Sequence, residues 1–295
     1  MIRVFAIAML LTGSAVYLPR RGHHIWDGSA WVNEGLLIES EARTNLVLNS
    51  GTLATQDVTV TTVTHTLNFT GTGTVTLSGA STAGPLVGTG TGEDNRASLT
   101  FTPTAGTLTL TVSGTVTNAQ LEVGATPSSY IPTAGASATR AAETIPIPSA
   151  NLPYNATAMW VTLTGLETYA DEDVASQVML MDWRSDVNNR ITLTLDTDGA
   201  KTGAVKLTVV SGGTLWSVSR AGLSPGVNEP FNVAFRVTDS DINIAVNGTA
   251  ATAVAITSIP NLSAASIDTA GMGTRSLLRV GNGVLTDPEL VGATS

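Results

Sequence analysis

Threonine supplies twenty-two of the sixty-seven residues from Gly51 to Thr117, interleaved with aliphatic side chains and glycine. A β-branched side chain loses rotamer freedom in a helix and fits the pleated, half-buried surface of a strand. The interleaving therefore excludes a helical fold for this stretch and predicts strands with one apolar and one hydroxylated face. In "TLTLTVSGTV", Leu108, Leu110, Val112 and Val116 fall on one face, and Thr107, Thr109, Thr111 and Thr115 on the other. In "VTVTTVTHTLNF" the alternation runs through Val58 and Val60, slips at Thr61 and Thr62, and resumes at Val63, Leu67 and Phe69. A one-residue slip turns the later apolar side chains outward unless the chain bulges or turns there.

Charged residues make up only 13% of the chain, while hydrophobic residues reach 42%. Disordered segments of low charge are poor in aliphatics, so the chain is expected to fold, with a surface of hydroxyls rather than charges. The net charge of -9 argues against nucleic acid as a partner, because such surfaces concentrate Lys and Arg. With no cysteine, disulfides, thiolate metal sites and cysteine nucleophiles are all excluded. The opening "MIRVFAIAMLLTGSA" places Arg3 before an apolar run from Val4 to Leu11 and the small residues Gly13, Ser14 and Ala15. That run is too short to span a bilayer, which needs about 20 residues. It reads as a strand packed on a partner subunit, with a signal peptide removed on export as the alternative.

An all-β fold is predicted, with two jelly-roll-like β-sandwich modules in tandem and an extended N-terminal segment. The expected divisions are an attachment and assembly segment over residues 1–44, a small sandwich over 45–132, a linker over 133–153 and a lectin-like sandwich over 154–295. Glycine-dense "TGTGTVTLSGASTAGPLVGTGTG" marks turns in the first sandwich, and Leu121 and Val123 close its last strand. The linker "IPTAGASATRAAETIPIPSANLP" shows no usable period. In the second sandwich, Asp198-Gly199 and Asn247-Gly248 are turn signals. Phe231, Val233 and Phe235 are expected to oppose Ile242, Ile244 and Val246 across a hairpin, and Thr286 to cap a short terminal helix.

Three stretches, "GLLIESEARTNLVLNS" (35–50), "VTNAQLEVGATPSSYIPT" (116–133) and "ATRAAE" (138–143), resemble in order and spacing modules of tail-fibre, spike and head-fibre proteins of tailed bacteriophages and phage-derived gene transfer particles. "FNVAFRVTDSDINIAVNG" and "LLRVGNGVLTDPEL" are similar to the late strands of the concanavalin A-like, laminin-G-like sandwich that follows such segments. The resemblance implies a virion component that contacts host-surface glycans. The chain departs from long fibres in having no coiled-coil heptads or collagen repeats, which favours a stubby spike or decoration protein.

Candidate chemistry is sparse. A Ser-His-Asp hydrolase needs a positioned histidine, and His23, His24 and His65 all precede the second module. Adjacent His23 and His24 without a third ligand read as surface or interface residues. Glycoside cleavage needs two carboxylates about 5 to 10 Å apart; Glu167, Asp171, Glu172, Asp173, Asp182 and Asp186 are available without forming a recognisable pair. "DTDGA" (196–200) begins like a calcium loop but lacks the later ligands, and "GTGTGED" lacks the lysine of a phosphate loop. No metal and no cofactor is expected.

Sugar binding is the positive case. Pyranose C–H faces stack on aromatic rings while Asn and Asp pair with hydroxyls. "DWRSDVNNR" offers Trp183, Arg184, Asp186, Asn188 and Asn189 in one polar loop, with Trp216 and Tyr169 as neighbours. Trp26 and Trp31 are expected to pack the N-terminal segment or a subunit contact. The resulting expectation is a non-enzymatic, homo-oligomeric virion spike or fibre. It would join other virion proteins through its N-terminal segment and host cell-surface polysaccharide through its second sandwich. A decoration protein without glycan binding and a polysaccharide depolymerase are the alternatives.

Overall fold

A computed structural model describes residues 20–26, 30–143, 145–169, 178–197, 202–224, 226–267 and 271–295. It is all-β, 55% strand and 5% helix among the described residues, and divides into two compact units: residues 42–142, and the chain on either side of them.

The unit of residues 42–142 contains a four-stranded antiparallel sheet in the order Gln56–Val60, Gly106–Ser113, Thr74–Gly79, Leu86–Val87 and a three-stranded one in the order Val116–Val123, His65–Gly71, Ala97–Phe101. Their apolar faces form one core, in which Val58, Val60, Val75, Leu77, Leu108 and Leu110 of the first sheet meet Leu67, Phe69, Phe101 and Leu121 of the second. Val112 packs on this core half-buried. The slip at Thr61 and Thr62 marks where the chain leaves one sheet and enters the other, so Val58 and Val60 before it and Leu67 and Phe69 after it all face inward, while Val63 stays exposed in the connection. On the polar faces threonine hydroxyls pair across strands, Thr70 with Thr117 at 3.0 Å and Thr66 with Thr100 at 3.0 Å, the sheet counterpart of helix side-chain pairing.

Val116–Val123 departs from simple alternation. Leu121 is buried as expected, Val123 is exposed, and the polar Gln120 and Glu122 are fully buried. The segment after the strand lies across them. Glu122 accepts from the Ser128 amide at 2.8 Å, the Ser128 hydroxyl at 2.6 Å and Gln120 Nε2 at 2.6 Å, while Gln120 Oε1 accepts from the Ile131 amide at 2.7 Å. Tyr130 ends this strap with its hydroxyl 2.7 Å from Ser50 Oγ. Asn45, also fully buried, donates from Nδ2 to the carbonyls of Ala119 (3.0 Å) and Ile131 (2.8 Å) and accepts at Oδ1 from the amides of Val47 (3.1 Å) and Leu121 (3.2 Å).

In the other unit, one sheet runs Arg20–Trp26, Trp31–Glu39, Met272–Asn282, Ala158–Tyr169, Phe231–Thr238, Asp241–Val246, Thr249–Ala250, with Val254–Ala255 also paired to Asp241–Val246. A second runs Ile145–Ile147, Ala264–Ile267, Val178–Asp186, Asn189–Leu195, Val205–Ser211, Thr214–Arg220. Met159, Val161, Leu163, Val233 and Phe235 of the first sheet share a core with Leu180, Ile191, Leu193, Leu207 and Val209 of the second. The expected two strands form a hairpin, one pair further along than expected: Val233 lies opposite Val246, Phe235 opposite Ile244 and Val237 opposite Ile242, with Phe231 beyond the paired residues. Asn247 and Gly248 both take positive φ at the following turn, the backbone a two-residue hairpin requires. Thr286 begins the helix Asp287–Gly292, its amide and hydroxyl both donating to Glu289 at 2.8 Å. Asp198-Gly199 and the apolar run Val4 to Leu11 lie outside the described residues.

Two segments differ from the sequence reading. Residues 31–39, placed in the attachment segment, form a strand of the larger unit, with Leu36 opposite Arg275, Glu39 opposite Met272, and Ile38 fully buried. Residues 133–153, read as a linker, carry two short strands: Ala138–Arg140 pairs with Arg43–Asn45, and Ile145–Ile147 pairs with Ala264–Ile267. Proline density conceals the period there, since Ile145 and Ile147 are buried on either side of the exposed Pro146. Residues 42–142 are thus an insertion in the larger unit. Its flanks are joined within that unit by Glu143 N to Glu39 O (2.8 Å) and Glu39 N to Glu143 Oε2 (2.8 Å).

On the outward face of the larger sheet, Trp160 lies over Gly281: a Cβ at Gly281 would sit 2.3 Å from two indole carbons. Gly281→Val should force the indole off the sheet and lower the urea unfolding free energy by about 1–3 kcal/mol. Gly292→Ala, where a Cβ meets nothing within 4 Å, should change it by less than about 0.5 kcal/mol. Equal effects of the two would contradict the packing.

Candidate functional site

The strand Val178–Asp186 turns through Val187 and Asn188 into Asn189–Leu195. This register places Trp183 opposite Ile191, Ile191 opposite Val209, and Val209 opposite Trp216. The four side chains form a transverse row on the core face. Trp183 is fully buried, touched edge-on by Tyr154 at 6.5 Å, and Trp216 is half-buried against the same core. The expectation that Trp183 offers a stacking face is corrected: its ring is enclosed between the sheets. Tyr169 ends the strand Ala158–Tyr169 opposite Met272, and its side chain lies outside what the structure describes.

The polar members of the stretch remain at the surface but hold the turn together. Asp186 Oδ1 accepts from the Asn188 amide at 2.7 Å, and both its oxygens face Asn189 Nδ2 at 3.2–3.3 Å. These bonds hold the exposed Asp186 carboxyl below its ordinary pKa, Asn189 contributing most. Asn189 Oδ1 accepts from Gly212 and the Asn188 carbonyl from Gly213, both at 3.1 Å, latching this hairpin to the next. Arg184 is forked on Asp182, with Nε to Oδ1 at 2.7 Å. Structure therefore brings Arg184, Asp186, Asn188 and Asn189 to one end of the six-stranded sheet and withdraws both tryptophans from them.

A cleft of about 460 Å³ opens elsewhere, beside the turn joining Phe231–Thr238 to Asp241–Val246 and the start of the terminal helix. Alternation directs Phe235 and Val237 inward and Arg236 outward, yet Arg236 is only 7% exposed. Its guanidinium bonds Asp241 in a fork, Nε to Oδ1 at 3.1 Å and Nη2 to Oδ2 at 2.9 Å, while Nη1 reaches the Leu285 carbonyl at 3.0 Å and Asp287 Oδ1. Asn243 Nδ2 donates to the same Asp287 oxygen at 2.9 Å. Thr238 shapes the turn by accepting from the Asp241 amide at 2.9 Å. Hydroxyls of Thr157, Ser240 and Thr286, the carboxylate of Asp239 and the apolar Val284 and Pro288 complete the lining.

The Arg236 bonds hold the Asp241 carboxyl below its ordinary pKa; the Asn243 bond, followed by Arg236, does the same for Asp287; and Asp241 in turn raises the guanidinium. Both acids are ionised at neutral pH. A proton donor in glycoside cleavage must instead stay protonated, so this pair can accept hydrogen bonds but cannot deliver that proton. The cleft was missed in the sequence because its arginine sits between Phe235 and Val237 in an apolar strand; the available signal was "TDSD", two carboxylates in a hairpin turn a few residues beyond it.

The remaining candidates serve structure. Glu167 is buried in an ion pair with Arg275, whose guanidinium lies 5.0 Å from the Phe231 ring. His65 is buried, with Nδ1 2.7 Å from the Val63 carbonyl and its ring stacked on Phe101. His23 and His24 lie on the strand Arg20–Trp26, and Asp171, Glu172 and Asp173 lie outside the described residues. Among the described residues no group of three His, Asp or Glu side chains could hold a metal, and no helix is long and apolar enough to cross a membrane.

No family model matches the chain, and no curated protein matches it in sequence. Among solved structures it is similar to the receptor-binding domain of botulinum neurotoxin mosaic serotype C/D (10% identity, 47% of this chain and 36% of that one, TM-score 0.38). It is also similar to the Ruminococcus gnavus IT-sialidase CBM40 bound to α2,6 sialyllactose (11%, 48% and 84%, 0.39) and to a toad ovary galectin in complex with N-acetylgalactose (10%, 46% and 96%, 0.33). The chain thus spans little over a third of the toxin domain.

The lowered carboxyl pKa values carry a stability consequence. A depressed folded-state pKa stabilises above the unfolded value, here 3.8, and the contribution is lost as pH falls through the folded one. The thermal midpoint of the larger unit should therefore fall steeply below about pH 4 in the native chain and more gently in Asp241→Asn. Parallel curves would contradict the fork.

Proposed function

We propose that the chain is a non-enzymatic attachment protein of a virion surface, which holds host-surface polysaccharide in the Arg236 cleft. The observation that carries this reading is the fixed Arg236, Asp241, Asp287 and Asn243 network, which presents ionised oxygen acceptors and neighbouring hydroxyls without rearrangement. Such preorganised polar groups beside a small apolar wall suit the hydroxyls and C–H faces of a sugar. With both acids held ionised, the site favours retention over cleavage. The virion setting is supported by the three stretches resembling fibre and spike proteins, and assembly as a homo-oligomer through the N-terminal segment belongs to the same proposal.

Purified chain incubated with immobilised capsule polysaccharide of a host bacterium should be retained and leave the polymer length unchanged. Arg236→Met, which frees both carboxylates and removes the fork, should weaken retention about tenfold, equivalent to about 1.4 kcal/mol. Shortened polymer would establish a depolymerase instead, and no retention would leave a decoration role on the particle.

A further inference from the structure

The cleft has an electrostatic asymmetry that bears on which sugars it can take. Among the described residues Arg236 is the one cation in its lining, against the three carboxylates of Asp239, Asp241 and Asp287. All three guanidinium nitrogens are already bonded, Nε and Nη2 to Asp241 and Nη1 to Asp287 and the Leu285 carbonyl. An incoming carboxylate or phosphate would find one guanidinium hydrogen left, on Nη2, and would otherwise have to displace Asp241, Asp287 or the Leu285 carbonyl. Asp287 keeps about half of its side chain exposed, and Asp239 stands exposed at the turn. Both meet a ligand before it reaches the arginine. A neutral hydroxyl, by contrast, donates to these carboxylates without breaking any bond of the network.

Resting on the glycan-binding reading of the cleft, we propose that it is selective for neutral sugar units, and that Asp239 and Asp287 are the residues that exclude acidic ones. Like-charge juxtaposition gives specificity by penalising the wrong ligand. In partly solvated surroundings, two net negative charges should weaken binding of a uronate-bearing chain by roughly fivefold or more, and salt should erode the difference.

The test uses the full chain and matched probes: 1,4-linked glucan and 1,4-linked galactan oligomers, each beside its form oxidised at C6 to the uronate, with affinities measured by calorimetry at low and at 0.5 M salt, the latter being about five times the 0.1 M at which the Debye length is about 10 Å. The neutral member should bind more tightly at low salt and the gap should narrow at high salt. Asp239→Asn, whose side chain carries no part of the Arg236 fork, should narrow the gap about twofold, and Asp287→Asn further if its melting temperature confirms folding. Oxidised chains binding as well as neutral ones, with binding still lost in Arg236→Met, would overturn the selectivity while leaving the glycan site. Failure of every probe and of host capsule polysaccharide to bind would overturn both.

Discussion

One buried amide, that of Asn45, ties together the segments on which the rest of this structure depends. Its two donors and two acceptor positions are all used, by Ala119 and Ile131 on one side and Val47 and Leu121 on the other. That fills the capacity of an asparagine side chain. The first strand of residues 42–142 is thereby fixed to Val116–Val123, and the strap that follows is held over Gln120 and Glu122. Immediately outside this knot, Arg43–Asn45 pairs with Ala138–Arg140. The chain therefore enters and leaves the smaller unit side by side, which is the condition for inserting one β-sandwich between two strands of another.

The stretches 35–50, 116–133 and 138–143 carry the residues that build this closure. "EARTNLVLNS" carries Asn45 and Ser50, "NAQLEVGATPSSYIPT" carries their partners from Ala119 to Thr133, and "ATRAAE" carries the pairing strand and Glu143. Buried polar atoms without partners cost about 1–3 kcal/mol each, so each residue in the knot constrains the others. The Arg236 cleft follows the same logic at the surface. A guanidinium forked on one carboxylate and shared with a second sets their charge and position.

Alternation made much of the fold legible. Leu108 and Leu110, and the pairing of Val233, Phe235 and Val237 with Val246, Ile244 and Ile242, lie where a period of two puts them. The slip at Thr61 was legible as a break but not as a change of sheet, because sheet membership is decided by long-range pairing. Trp183 misled because a tryptophan among polar residues suggests a surface. Its hairpin register with Ile191 puts it in the core, and a bulge between Met179 and Met181 shifts the inward phase to reach it. The strands Ala138–Arg140 and Ile145–Ile147 are too short to show a period, and Arg236 was hidden by its apolar neighbours.

The central structural claim is that residues 42–142 close on themselves through Asn45 as a unit inserted in the larger sandwich. Hydrogen exchange of Asn45→Ala against the native chain tests it most directly. Loss of about 3 kcal/mol of local stability should speed exchange roughly a hundredfold in Val116–Val123 and Arg43–Asn45 and leave Phe231–Thr238 unchanged. Uniform acceleration across the whole chain, or unaltered protection in Val116–Val123, would contradict it.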